Sequence, residues 1–88
     1  MLAKVKLALR IVTDSFDSEL TDLIGAACAD LGIVGVPAQP DTADPILVRA
    51  IITYCKMHFG EPDEYDRLKA SYDEQKAQLI TCTGYGIE

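Results

Sequence analysis

Leu2, Val5, Leu9 and Val12 recur at intervals of three and four along the first dozen residues, while Lys4, Lys6 and Arg10 fall mostly off that line. This spacing predicts a short amphipathic helix. A second helix follows, with Asp14 or Ser15 of the segment TDSFDSE as its N-cap and Asp17 and Glu19 in its first turn, where carboxylates meet the positive end of the helix dipole. Its Phe16, Leu20, Leu23, Ile24, Ala27, Cys28 and Leu31 keep one apolar face continuous. Gly32 is the predicted C′ residue, because glycine takes the left-handed conformation without steric cost.

From Ile33 to Asp44 the pattern breaks. Gly35, Pro37, Pro40 and the polar run QPDTAD oppose both a helix and a central strand, so this stretch is predicted to be the longest loop, turning Ile33, Val34 and Val36 inward. Asp44 and Pro45 then read as an N-cap with proline at the first helical position. Ile46, Leu47, Ala50, Ile51, Tyr54, Cys55 and His58 share one face of this third helix, and Val48, Ile52 and Phe59 add apolar surface on another. A helix apolar around most of its circumference belongs at the centre of a bundle or at a subunit contact. Gly60 stops it, and Asp63 is the predicted cap of a fourth helix carrying Tyr65, Leu68, Tyr72 and Leu79 to about Ile80. The expected fold is all-α: one four-helix domain over 1–80, a long loop between helices two and three, and a flexible tail over 81–88 around Tyr85.

At 88 residues the chain has room for one domain, which buries only about 60–65% of the surface its unfolded form exposes, so a large enclosed active site is not expected. Fourteen acids against eight bases give a net charge of −6, which repels nucleic-acid phosphates. No run of 18 apolar residues is present, and MLAKVKLALRIV intersperses its apolar residues with bases, so neither a membrane span nor a signal peptide is expected. Three cysteines with no close pair, Cys28, Cys55 and Cys82, argue for a reducing compartment.

Candidate chemistry is sparse. Cys55 and His58 lie three apart on one helix, but two ligands are too few for a structural metal, and a buried cysteine packs as a small hydrophobe. A Cys–His nucleophile pair needs an activated thiolate and a third group to orient the histidine, and no such group is evident. DSFDSELTD and EPDEYD lack the oxygen-ligand spacing and central glycine of a calcium loop, and Gly32 to Gly35 has neither the lysine nor the preceding strand of a phosphate loop. No catalytic, cofactor or metal set is therefore expected. The charge, however, is segregated: residues 1–12 carry +3 with no acid, and residues 13–44 carry −7 with no base. These patches either pair within one monomer or attract unlike surfaces of neighbouring subunits, which makes Lys4, Lys6, Arg10, Asp17, Glu19, Asp22 and the tail residue Tyr85 the subunit-interface candidates.

KVKLALRI, FDSELTDLIGAACADLGI, the proline-bearing loop, DPILVRAIITYCKMHFG and YDRLKASYDEQKAQL, in that order, resemble the small head-tail connector proteins of long-tailed bacteriophages and prophages, often labelled DNA-packaging proteins. The resemblance covers nearly the whole chain and rests on helix faces and caps, without a catalytic signature. It implies a non-enzymatic all-α subunit of a ring, commonly dodecameric, that docks beneath the portal protein, extends the DNA channel and offers a platform to a head-completion or tail protein. It also implies assembly in the host bacterial cytoplasm, residence at the head–tail junction of the virion, and DNA that only passes through. Size and charge alone leave a second class open, a small acidic helical regulator such as an antitoxin or a DNA-mimicking inhibitor.

Overall fold

The computed structural model describes residues 1–42, 44–60 and 63–80 together with the backbone of Thr81. It has four helices and, among the described residues, no strand: α1 (Leu2–Leu9), α2 (Asp17–Ile33), α3 (Pro45–His58) and α4 (Tyr65–Thr81). The all-α expectation holds. The expected tail, with Tyr85 and Cys82, lies outside the described residues.

The helix ends correct several details. α1 stops at Leu9 because Arg10 turns left-handed (φ 61°), and the two bonds that close the end, Ile11 N–H to Lys6 O and Arg10 N–H to Leu7 O, form a Schellman motif with arginine in the usual glycine position. Val12 therefore leaves the predicted apolar line and is 98% exposed. Neither Asp14 nor Ser15 caps α2; the residue before the helix is Phe16, whose carbonyl accepts from Leu20 N–H. Both predicted caps are otherwise engaged, since the Asp14 carboxylate accepts from Lys6 Nζ at 2.7 Å and Ser15 lies against the Thr13 hydroxyl. At the far end Gly35 (φ 87°), not Gly32, takes the left-handed position. Val36 N–H then bonds Leu31 O, and the side chains of Val36 and Leu31 are both fully buried, the apolar contact that accompanies such an end. Of the three loop residues expected to turn inward, Val36 is buried and Val34 half-buried, whereas Ile33 still belongs to α2 and is exposed.

The predicted start of α3 is found as read. Asp44 has an extended backbone, its Oδ1 accepts from Ile46 N–H at 3.0 Å, and Pro45 fills the first turn. Asp44→Ala is expected to lower the unfolding free energy by about 0.5–2 kcal/mol, as the loss of a side-chain cap does elsewhere, measured by urea titration against wild type. α3 ends before Phe59 and Gly60 (φ 69°), and α4 begins one residue later than an Asp63 cap requires, with Leu68 N–H bonding Glu64 O.

α3 is the centre of the bundle. It packs against α1, α2 and α4, and it contributes Leu47, Ala50, Ile51, Cys55 and Met57 to a core completed by Val5 of α1, Leu20, Ile24, Ala27 and Leu31 of α2, Val36, and Tyr72 and Leu79 of α4. The face read from the sequence is rotated slightly: Val48 and Met57 are buried, whereas Ile46 is 44% exposed and His58 is exposed. Phe16 meets the Phe59 ring edge-on at 5.3 Å, joining the start of α2 to the end of α3.

Candidate functional site

The interface candidates separate into two groups. Lys6 lies on the inner side of α1, its side chain only 17% exposed, and its ammonium lies 2.7 Å from Asp14 Oδ1 and 2.8 Å from Asp17 Oδ1. The hydrogen bond with Asp14, then that with Asp17, raises the Lys6 pKa, and the same ammonium holds the Asp14 carboxyl below its ordinary value. Lys6, Asp14 and Asp17 thus brace the turn between α1 and α2 within one chain. Lys4 and Arg10 are exposed and, among the described residues, make no ion pair, and Leu7 between them is 80% exposed. Glu19 and Asp22, on the outer side of α2, are likewise exposed. Tyr85 lies outside the described residues.

A second constellation was not legible in the sequence. Tyr72 of α4 is 2% exposed, and its Oη donates to Asp30 Oδ2 of α2 at 2.6 Å. Lys76 reaches the same carboxylate oxygen at 3.3 Å while its ammonium lies 4.9 Å from the Tyr72 ring centroid. Burial first, and then this hydrogen bond, drive the Tyr72 hydroxyl far above its ordinary value, so it acts as a donor and not as a phenolate. Tyr54 packs on Tyr72 at 5.5 Å and on His58 at 4.4 Å, and His58 in turn faces Tyr65 at 6.1 Å. The partners are 42 residues apart along the chain, and no local spacing announces a pair of that kind.

The two described thiols, Cys28 and Cys55, carry no activated chemistry. Burial, with a smaller contribution from Cys28, pushes the Cys55 thiol up to about 12, and burial also raises Cys28. A thiol protonated throughout the neutral range is neither the nucleophile nor the metal ligand that a Cys–His site requires. The shared face predicted for Cys55 and His58 is also divided, since Cys55 is fully buried and His58 is exposed against Tyr54. Among the described residues no three His, Cys, Asp or Glu side chains are placed to hold a metal ion, and no helix is long and apolar enough to cross a membrane.

A groove of about 570 Å³ lies between α3 and α4, with Leu9 at the end of α1 at one side. Leu9, Ile52, Phe59 and Leu68 supply apolar lining, and Arg49 and Lys56 of α3 add positive charge. Arg67, also in the lining, is paired with Glu64. Such a groove offers shape and charge to a docking segment, whereas a reaction would need converging acid, base or nucleophile groups.

A family model described as phage connector protein matches residues 1–86, which takes in all four helices. No curated protein and no solved structure matches. With its all-helical architecture and a match over nearly the whole chain, the protein belongs to the phage connector family and has a structural connector role in a bacteriophage.

Proposed function

We propose that this chain is a subunit of the connector ring at the head–tail junction, docking beneath the portal protein, extending the DNA channel and presenting a platform to a head-completion or tail protein. The observation that carries this reading is the family match over residues 1–86. The ring is of the commonly dodecameric kind, assembled in the host bacterial cytoplasm, and genomic DNA only passes through it. A net charge of −6 on each copy supports that last point, because an acidic assembly repels phosphates and lets DNA slide without adhering. Purified portal-bearing heads that lack their tails should bind the protein saturably in a co-sedimentation assay. Heads that leave it in the supernatant at every concentration would overturn the reading.

Within the ring, the exposed cations of α1 meet the exposed acids of α2 on the next copy. Lys6, Asp14 and Asp17 are already committed within each monomer, so the groups available for this contact are Lys4 and Arg10 on one side and Glu19 and Asp22 on the other. A heterologous contact of this kind forms a ring where its rotation closes on repetition. Reversing both Lys4 and Arg10 to glutamate is expected to leave the helical circular dichroism and the melt nearly unchanged. Each exposed pair is worth only about 0–1 kcal/mol, so loss of assembly on heads should come from many copies and should be steeper at low salt than at high salt. Equal assembly of the double variant and wild type at both salt concentrations would remove the electrostatic contact.

A further inference from the structure

The groove between α3 and α4 combines the apolar side chains of Leu9, Ile52, Phe59 and Leu68 with the cations Arg49 and Lys56, and is unfilled by any described residue. Arg49 and Lys56, two turns apart on α3, make no ion pair among the described residues, although four of the chain's other cations do. Gln75, also in the lining, has its Oε1 turned away from solvent with no donor among the described residues, an arrangement that is relieved if the amide turns toward a docked peptide N–H. The groove therefore fits an extended, apolar and acidic peptide segment.

The chain itself contains one. In TCTGYGIE, Tyr85 and Ile87 alternate with Gly84, Gly86 and Glu88, so that in an extended conformation the two large apolar side chains would share one face, and the only charged side chain is negative. The α4 residues that line the groove end at Gln75, and the helix runs about 9 Å further to Thr81, so the segment 82–88 starts beyond the groove of its own copy. Seven residues would span about 23–25 Å if extended, a length on the scale of the 18 Å shortest dimension of one subunit.

We infer that the segment 82–88 of one copy docks in the α3–α4 groove of the next, with Tyr85 and Ile87 on the lining formed by Leu9, Ile52, Phe59 and Leu68, and Glu88 near Arg49 or Lys56. The inference rests on the connector reading and names a second surface, beside the α1–α2 charge contact, by which neighbouring subunits join. A segment of seven residues buries far less area than a stable dimer requires, so the contact is weak between free subunits and gains effect by repetition around a ring.

The test uses full-length chains. A 15N-labelled copy carrying Tyr85→Ser and Ile87→Ser, which keeps its groove but has no working tail, is titrated with unlabelled wild type. The expected result is a saturable shift of the amides of Ile52, Thr53, Lys56, Leu68 and Ser71 with a half-point of about 1 mM or below, and no shift when the unlabelled chain carries the same tail changes. A labelled Arg49→Glu, Lys56→Glu copy, its helical content verified first, should respond at least several-fold more weakly. Absence of any shift at millimolar concentration would overturn the inference. So would wild-type groove resonances that differ from those of the tail variant at every dilution without responding to added chain, because the occupant would then be the copy's own tail. Binding to portal-bearing heads is read separately, so either result leaves the connector reading to its own assay.

Discussion

Replacing Ile51 by alanine is expected to lower the unfolding free energy by about 2–5 kcal/mol, the range seen when a fully buried isoleucine leaves a cavity that its neighbours only partly fill. Ile51 is 0% exposed and sits midway along α3, the helix that touches all three others, so atoms lost there are missed by several elements at once. A domain of this length is typically stable by about 4–13 kcal/mol in total, and the lower part of that range would leave the variant substantially unfolded at ambient temperature. Urea titration should show the midpoint falling with little change in slope, while Ile46→Ala, at a 44% exposed position one turn and a half away, moves it much less. A midpoint unchanged by Ile51→Ala would remove α3 from the centre of the bundle.

That central role was legible in the sequence because α3 is apolar on more than one face, and a helix of that kind needs neighbours on several sides. The four helices were legible for the same reason: apolar residues at intervals of three and four survive any uncertainty about where each helix ends. The ends were not, because a cap is decided by competition for the same groups. Asp14 is an excellent cap by residue type, yet Lys6, eight residues earlier, takes its carboxylate first. Gly32 and Gly35 are equally able to turn left-handed, and the choice of Gly35 follows from burying Val36 against Leu31, a tertiary gain that lies outside any local pattern.

The candidate site divides along the same line. Segregated charge marked α1 and α2 as surfaces of opposite sign, and the structure places Lys4, Arg10, Glu19 and Asp22 at the surface. It also commits Lys6 and Asp17 to each other inside the monomer, one of the two readings that composition allowed. The Tyr72–Asp30–Lys76 link had no local spacing to announce it, since it joins α2 to α4 across 42 residues or more, and the α3–α4 groove depends on how two consecutive helices pack. A buried tyrosine on a polar helix was the available clue: α4 has few apolar residues, and a hydroxyl turned into the core must find an acceptor there.

Alkaline conditions should unfold this protein earlier than its helix content alone would suggest. Burial lifts the Cys55 thiol from 9.0 to about 12, so the native state holds that proton more tightly than the unfolded chain does. Stability from this group is therefore whole below about pH 9 and falls with each further unit by up to about 1.4 kcal/mol, until the folded pKa is passed. Tyr72 shifts in the same direction, chiefly through burial and then through its bond to Asp30, and adds its own loss above its ordinary 10.0. Cys55→Ala separates the two. At neutral pH it should cost about 1–2 kcal/mol as a small buried hydrophobe trimmed. Because the variant has no thiol to ionise, its stability should then fall more slowly between about pH 8.5 and 10, and the gap to wild type should narrow or close. Urea titrations under reductant at about pH 7.5, 9 and 10 measure both curves, and curves that remain parallel across that range would show that the Cys55 proton is not held by burial in the core.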